Sequence, residues 1–476
     1  MEIKNICCIG AGYVGGPTMA VIADNCPKIQ IDVIDINIER IDAWNSRDLN
    51  NLPIYEPGLA EIIQRCRGKN LHFSSLLEEK IRVADMIFIS VNTPTKTKGI
   101  GAGKASDLKW VEASARQVAK FSEGHTIVVE KSTLPVRTAE TIKAILNASK
   151  ESSTNKSNPS TFDVLSNPEF LSEGNAINDL MNPDRVLIGG EREEPIEALS
   201  RIYRNWVSEK KILKTNVWSS ELAKLTANAF LAQRISSINS ISALCEATGA
   251  DIREVSRAIG SDSRIGSKFL DSGPGFGGSC FKKDILNLVY LSEYFGLPEV
   301  ALFWEEVVNI NIWHQHRISK LIAKKLFGTL SGKKITILGF AFKANTNDTR
   351  ESAAIIICKD LLEEGANLII HDPKVDKSQI KEELERVFNA KDNIYKGNYD
   401  SSNIGKWETT SNLEKAFSNS DAVLIITEWN EYKHIDWHKV YSEMRSPCWV
   451  FDARSIVDPK KVLEAGLNLW RIGDGS

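Results

Sequence analysis

An α/β protein with two doubly wound lobes joined by a long central helix is predicted by three features of this sequence. Nearly continuous apolar runs of strand length recur near both ends of the chain, as in parallel sheets buried on both faces. Each set opens with a strand that runs into glycine and then into a helix-compatible stretch: Ile3 to Ile9 before Gly10, and Lys334 to Leu338 before Gly339. Between the sets lies one uninterrupted helical pattern from about Ser219 to Gly249. A chain of 476 residues exceeds one ordinary domain, and the texture divides it into 1–216, 217–328 and 329–476.

In the first lobe the second strand, Ile29 to Ile34, ends in Asp35, and further runs follow at Met86 to Val91, Thr126 to Val129 and Val164-Leu165. The polar stretch Glu151 to Ser160 reads as a surface loop. Ser219 or Ser220 can cap the central helix, whose apolar residues continue through Leu222, Leu225, Phe230, Ile235, Ile238 and Ile241. More helix follows from Asp284 to Arg317. The second lobe continues through Leu368 to Asp372, Ala422 to Thr427 and Trp449 to Phe451, with Asp392 to Thr410 as a loop.

Composition narrows the function. Hydrophobic content of 42%, charged content of 25% and a net charge of −3 without a basic stripe speak against nucleic acid as a partner. No apolar run reaches the roughly 18 residues of a membrane span, and Met1 to Ile6 leads into a strand without a signal-peptide pattern. Eight cysteines without CxxC spacing suit reduced thiols in a cytoplasmic protein, Cys7 and Cys8 being small apolar strand residues. Seven histidines show no metal spacing, and His314 and His316 decorate a helix or its end.

Gly10-Ala-Gly-Tyr-Val-Gly15 lies between strand and helix, the context a dinucleotide fingerprint requires. Gly10 permits the tight turn, Gly12 lets pyrophosphate approach the backbone, and Gly15 allows the helix to pack on the sheet. Asp35 is placed to accept from a ribose 2′-hydroxyl, which favours NAD over NADP, although nearby Arg40 tempers that preference. The second lobe's Gly339-Phe-Ala-Phe-Lys343 lacks the later glycines. Lys343, Arg350 and Arg454 stand instead at strand-to-loop junctions and point to a phosphate-bearing ligand, although each alone reads as a solvated charge.

The segment Gly273-Pro-Gly-Phe-Gly-Gly-Ser-Cys280-Phe-Lys-Lys-Asp284 carries the reactive candidate. Ser279 can cap the following helix, which would put Cys280 in its first turn, where the helix N-terminus and Lys282 or Lys283 favour thiolate. Asp284 lies one turn on. A buried structural thiol is the ordinary alternative. Lys224 and Asn228 share a face of the central helix, and the apolar neighbours Leu222, Leu225 and Phe230 suggest a buried environment for the lysine. Glu169 follows a buried strand; a surface turn carboxylate is its bland reading.

Taken in order, these segments resemble the UDP-glucose dehydrogenase family, closely its animal and plant members. The resemblance runs from Ile6-Cys-Cys-Ile-Gly-Ala-Gly-Tyr-Val-Gly-Gly16 to Phe451-Asp-Ala-Arg454. It passes through Leu52-Pro-Ile-Tyr-Glu-Pro-Gly58, Val91-Asn-Thr-Pro-Thr95, Glu130-Lys-Ser-Thr133 and Asn182-Pro-Asp-Arg-Val-Leu-Ile-Gly-Gly190. Ala227-Asn-Ala-Phe-Leu-Ala-Gln-Arg234, Gly275-Phe-Gly-Gly-Ser-Cys280 and Asp348-Thr-Arg-Glu-Ser352 complete the set.

The resemblance implies oxidation of UDP-glucose to UDP-glucuronate with two NAD, with Cys280 as nucleophile. Lys224 and Asp284 would stand beside it, Asn228 would help hold the oxyanion, Glu169 would assist hydrolysis and Thr133 would position water. The first base would be Lys224 or water held by Asp284. The cofactor NAD would meet Gly10, Gly12, Tyr13, Val14, Gly15, Asp35, Arg40, Val91, Thr93, Thr95, Ser132, Thr133, Glu173 and Arg350. The sugar nucleotide would meet Glu169, Phe170, Leu171, Lys224, Asn228, Phe269, Phe276, Gly277, Phe342, Lys343 and Arg454. Arg264 would reach a neighbouring subunit's sugar site, so a homo-oligomer is implied, with a dimer as minimum unit and a hexamer in animal members. The nearest rivals are a GDP-mannose or UDP-N-acetylmannosamine dehydrogenase and a catalytically silent NAD-sensing scaffold.

Three departures stand out. Ala453 replaces the glycine of Phe-Asp-Gly-Arg, which would alter the turn holding Arg454. Ala344 to Asn347 differs from relatives that have a second lysine and a glycine there. The loop Glu151 to Ser160 varies in the family.

Overall fold

The computed structural model describes residues 2–133, 135–152, 160–389 and 404–475. The chain divides into two compact units, Met1–Ala227 with Leu286–Gly296, and Asn228–Ile285 with Leu297–Ser476. Both the 32-residue helix Val217–Thr248 and the helix Phe281–Tyr294 contribute to each.

The first unit is built on an eight-stranded sheet. Its strands are β1 (Asn5–Ile9), β2 (Gln30–Ile34), β3 (Leu71–Ser74), β4 (Met86–Ile89), β5 (His125–Glu130), β6 (Thr161–Ser166), β7 (Val186–Gly189) and β8 (Ile212–Thr215). Their order is β3-β2-β1-β4-β5-β6-β7-β8, and every pairing is parallel except β6 with β7. The order reverses at β1, so the carboxyl ends of β1 and β4 flank the switch point at which open α/β sheets bind ligands. Cys7 and Cys8 enter separate apolar cores on opposite faces, which is why β1 reads as an unbroken hydrophobic run.

The second unit carries a six-stranded, wholly parallel sheet. Its strands are β9 (Lys334–Leu338), β10 (Asn367–His371), β11 (Trp407–Thr409), β12 (Ala422–Ile425), β13 (Trp449–Asp452) and β14 (Asn468–Arg471). Their order, β11-β10-β9-β12-β13-β14, again reverses at the first strand of the set. The α/β class, the two lobes and the connecting helix are as the sequence predicts.

Five further strands complete the sheets, β3, β7, β8, β11 and β14; β7 is a short, fully buried apolar run, and the others carry polar or exposed residues. Of these, β3, β8, β11 and β14 lie at sheet edges, and β3 alternates buried with half-buried residues. Strand β11 falls within the stretch read as a loop, whose residues up to 403 lie outside those described. The loop read at Glu151–Ser160 is also corrected at both ends. The helix Thr138–Ser152 runs into it, and Ser160 is buried, donating from Oγ to Ser122 O at 2.6 Å. Neither Ser219 nor Ser220 caps the central helix. It starts at Val217, and Asn216 Oδ1 accepts from Ser219 N–H at 2.8 Å.

Candidate active site

The nucleotide-binding features of the first unit follow from its backbone. Gly10 has φ +108°, and a Cβ there would lie 2.5 Å from Ser90 O. A Cβ on Gly15 would lie 2.0 Å from Gly10 O, so the helix Gly15–Asn25 reaches its strand only through glycine. A Cβ on Gly12 would meet nothing within 4 Å. That open cradle beside a helix N-terminus suits an anion such as pyrophosphate.

Asp35 follows β2 with its carboxylate ordered. It accepts from Ala11 N–H at 2.9 Å, Asn37 N–H at 2.9 Å and Arg40 Nη1 at 3.1 Å. Arg40 is thus engaged with Asp35 itself. Around the sheet's carboxyl edge, Ser132 Oγ donates to Val91 O at 2.7 Å and Thr93 Oγ1 to Thr133 O at 3.1 Å. Thr95 bridges to Ser106. Val14 precedes the first helix, and Tyr13 OH accepts from Gly174 N–H at 3.2 Å, next to the half-buried Glu173.

A buried polar group lies in the same unit. Lys224 and Glu169 are both buried, with Nζ 3.8 Å from Oε1 and 5.3 Å from the Phe170 ring centroid. Thr133 Oγ1 donates to the same Oε1 at 3.2 Å, while Glu169 Oε2 is buried without a hydrogen-bond partner among the described residues. Leu171 is half-buried beyond Phe170. Thr133, Glu169 and Lys224, drawn from three parts of the sequence, therefore meet. The apolar neighbours on the helix account for the burial of Lys224 only in part. Leu225 is buried, but Leu222 and Phe230 are exposed, and contact with Glu169 and Phe170 encloses Lys224 Nζ instead.

In the second unit the glycine-rich loop is clamped by polar side chains. Asn239 Oδ1 accepts from Gly273 N–H at 3.0 Å, and His314 Nε2 lies 3.0 Å from Gly273 O. Asn311 accepts from Phe276 N–H at 2.9 Å and donates to Phe276 O at 3.1 Å. His314 is fully buried, which pushes its imidazole down to about 3 and keeps it neutral, with Arg317 acting in the same direction. It lies on the helix Pro298–Lys325, as the sequence suggests, with its ring on the buried face. Asn311 and His314 went unnoticed as site supports, and their polar i, i+3 spacing in the buried stripe of helix Pro298–Lys325 is the signal that could have found them.

The loop delivers Cys280 to the start of helix Phe281–Tyr294. Seven of the eight cysteines are buried, whereas Cys280 is exposed. Cys280 is not in the first turn, and Ser279 is not the cap. Cys280 stands immediately before the helix and its carbonyl accepts from Asp284 N–H at 2.9 Å. Ser279 Oγ lies 3.4 Å from the Cys280 sulfur. The lysines expected to favour thiolate are engaged by carboxylates, Lys282 with Glu351 at 2.9 Å and Lys283 with Asp284 at 3.6 Å. The helix N-terminus remains as a source of positive potential at the sulfur. Asp284 is buried, and its Oδ2 accepts from Asn228 Nδ2 at 2.6 Å. A primary amide has two N–H bonds, so one remains for another acceptor.

Gly277 packs so closely that a Cβ would lie 2.5 Å from Glu351 O, and Phe342 lies beside it. Gly278 N–H donates to Arg350 O at 2.8 Å, tying the loop to the segment after β9. Arg454 donates from Nε to Ile426 O at 2.6 Å and from Nη2 to Phe342 O at 3.1 Å, and faces Glu428 at 3.0 Å. It thereby fixes the carbonyl beside half-buried Lys343. Arg350 pairs with Asp348 at 2.6 Å. Phe276 is buried edge-on to Phe281, whereas Phe269, at φ +62°, is exposed. Arg264 is 88% exposed and pairs with Asp262, away from these groups.

Ala453 does not disturb the turn. It is fully buried and is not among the positive-φ residues, so alanine adds apolar contact without strain. Asn345, within the divergent 344–347 stretch, has φ +64°, a conformation asparagine tolerates better than most side chains.

A glycine cradle at a sheet switch point, an exposed thiol on a helix start and a second α/β sheet with cations at its carboxyl edge define an NAD-dependent oxidoreductase. Three family models cover the chain: the NAD binding domain of the UDP-glucose/GDP-mannose dehydrogenase family over 4–207, its central domain over 218–313 and its UDP binding domain over 336–459. The chain belongs to the UDP-glucose/GDP-mannose dehydrogenase family. It is 54% identical over 462 residues to a UDP-glucose 6-dehydrogenase of Gallus gallus, covering 96% of this chain and 90% of the relative. It is 52% identical over 474 residues to UDP-glucose 6-dehydrogenase 2 of Arabidopsis thaliana, covering 98% and 96%. Among solved structures, a UDP-glucose dehydrogenase from the archaeon Pyrobaculum islandicum matches with a TM-score of 0.81 at 29% identity, over 100% of this chain and 98% of that one.

Proposed function

We propose that the chain oxidises UDP-glucose to UDP-glucuronate with Cys280 as covalent nucleophile. The observation that carries the reading is this thiol, exposed at a helix N-terminus, on a loop held by Asn239, Asn311 and His314. Identity above one half to UDP-glucose 6-dehydrogenases supports that substrate over GDP-mannose or UDP-N-acetylmannosamine. A silent NAD sensor would have no use for Cys280, Lys224, Asn228 and Asp284 together.

The Gly10–Gly15 cradle, Asp35 and Thr93 would hold NAD, and two NAD molecules used one after the other would each accept one hydride. In the first oxidation, the sugar's 6-hydroxyl proton passes to Lys224 or to water held by Asp284 as carbon 6 gives up a hydride. The Cys280 thiolate then adds to the aldehyde carbon, giving a thiohemiacetal and preventing escape of the aldehyde. Loss of the remaining carbon 6 hydrogen as hydride leaves a thioester on the sulfur. Lys224 and the second N–H of Asn228 stabilise the oxyanions. Water positioned by Thr133 and aided by Glu169 adds to the thioester, and the thiolate leaves as UDP-glucuronate forms. The balance is one alcohol and one water consumed, two hydrides transferred and three protons released.

Lys343 and Arg454 would bind the nucleotide phosphates, and the division at 1–216, 217–328 and 329–476 assigns NAD, subunit contact and sugar nucleotide to successive segments. A homodimer is supported by apolar residues exposed on the second unit, Phe230, Leu244, Leu302 and Phe303 among them. No helix among the described residues is long and apolar enough to cross a membrane, and the cysteines are thiols, which supports a cytoplasmic setting.

The test is a count of NADH formed per UDP-glucose consumed. Two is expected for the native chain and glucuronate should be the product, whereas zero would identify a sensor. Cys280→Ala should form no glucuronate; formation at the native rate would remove the nucleophile from the scheme.

A further inference from the structure

One buried carboxyl pair in the first unit has no part in the chemistry above. Glu130 ends β5, three residues before Thr133, and Glu221 lies on the central helix, three residues before Lys224. Both are buried, at 2% and 3% exposure. Their carboxyl groups lie within hydrogen-bonding reach of each other. Glu221 also accepts from Arg137 N–H at 2.7 Å and Ala139 N–H at 2.9 Å, at the start of helix Thr138–Ser152. The pair therefore ties the chain on both sides of Thr133 to the helix that carries Lys224.

Two carboxylates in hydrogen-bond contact away from water cannot both be ionised, so one must donate a proton to the other. The geometry decides which. Glu221 accepts two backbone N–H bonds, which favour its charged form, whereas Glu130 Oε2 is buried without a donor among the described residues. We propose that Glu130 and Glu221 share a single proton, carried by Glu130, and that they are positioning residues fixing Thr133 and Lys224 relative to one another. The inference rests on the reading that Thr133 and Lys224 act in the reaction.

The charged neighbours do not remove the need for the proton. Glu140, on the helix after Thr133, adds further negative potential at Glu221. The Arg137 guanidinium lies 3.9 Å from Glu140 and is largely exposed. Lys131, next to Glu130, directs its ammonium to Asn167 Oδ1 at 3.1 Å and Tyr203 OH at 3.4 Å. Burial and the Glu221 charge both hold the Glu130 carboxyl well above the usual range.

The sign of the pH dependence follows. Above about pH 4.5, the usual glutamate value, the unfolded chain has released a proton that the folded chain retains, so this pair loses stability as pH rises. Glu130→Gln keeps a donor for Glu221 and removes that titration.

The experiment compares the native chain with Glu130→Gln, Glu130→Ala and Glu221→Gln by melting temperature from pH 5 to 9 and by steady-state kinetics near neutrality. The melting temperature of Glu130→Gln minus that of the native chain should grow as pH rises. Glu130→Ala should lower kcat at least tenfold with KM changed less than threefold, and glutamine should restore kcat to within about threefold. A melting difference independent of pH would overturn the shared proton. Native kcat in Glu130→Ala, or loss in Glu130→Gln as large as in alanine, would overturn the positioning role. Should Glu130→Ala fail to fold, Glu221→Gln takes its place, since it keeps the volume but weakens acceptance from Arg137 and Ala139. Thr133→Ala and Lys224→Ala are measured in parallel. Native kcat in those two would instead refute the site reading itself, and the positioning role with it.

Discussion

Alanine at Gly12 and alanine at Gly15 should separate cofactor binding from folding, although only two residues divide them. At Gly15 the new methyl would lie 2.0 Å from the carbonyl oxygen of Gly10, 3.1 Å from the Cys8 sulfur and 3.1 Å from Ser90 Cβ. The first of these is backbone in the strand-to-helix turn and cannot swing aside, so the helix must move outward by about 1 Å or more. Overpacking of this kind costs about 1–3 kcal/mol, and the absence of a flexible neighbour places Gly15→Ala at the upper end. At Gly12 a Cβ meets nothing within 4 Å, and the residue is not in the left-handed region. Gly12→Ala should therefore leave the fold intact, or stabilise it by about 0.4–1 kcal/mol through the unfolded chain. Its cost falls on pyrophosphate, which would lose close approach to a backbone N–H. A hydrogen bond to a charged group contributes about 1.5–3 kcal/mol, or roughly 10- to 150-fold in Kd. Calorimetric titration with NAD and a thermal melt of each variant measure the two quantities separately. A Gly12→Ala protein that melts as low as Gly15→Ala, or binds NAD within twofold of the native chain, would refute the assignment of the open space to the cofactor.

Two further outcomes are expected. Asn228→Ala removes the donor 2.6 Å from the buried Asp284 carboxylate, leaving a buried charge short of a partner. A loss of about 1–3 kcal/mol by urea unfolding should accompany a fall in kcat, and unchanged stability would show that solvent or Lys283 already satisfies Asp284. His314 is neutral in the fold, with its imidazole down to about 3, while in the unfolded chain it titrates near 6.5. Its contribution is complete above pH 6.5 and is lost as pH falls toward 3, by about 1.4 kcal/mol per pH unit. His314→Gln, which can still donate to Gly273 O, should lose less stability than the native chain between pH 7 and 5, by about 2 kcal/mol. Equal acid slopes in calorimetry would contradict this.

Much of the fold was legible because parallel strands buried on both faces leave apolar runs without gaps. Strands β1, β4, β9 and β12 are fully or almost fully buried and were evident, whereas β3 and β11 at sheet edges carry polar, half-exposed residues and were not. The glycine fingerprint was equally legible, since backbone approach at Gly10 and Gly15 tolerates no other residue. Local order at Cys280 was harder to read. A serine before a helix suggests a cap, but the chain starts the helix one residue later and gives that position to the cysteine.

By itself the sequence determined the α/β class, the two lobes, the glycine cradle and the loop that carries the exposed thiol. Each is encoded by residues close in the chain, where periodicity, glycine and spacing act directly. Only the tertiary structure decided that Thr133, Glu169 and Lys224 form one buried polar group, that Asn228 is bound to Asp284 and that Glu130 meets Glu221. These partners are separated by 36 to 91 residues, and what binds them is loss of water around polar atoms. That desolvation is a property of the packed interior, so no local pattern can announce which polar residue will face which.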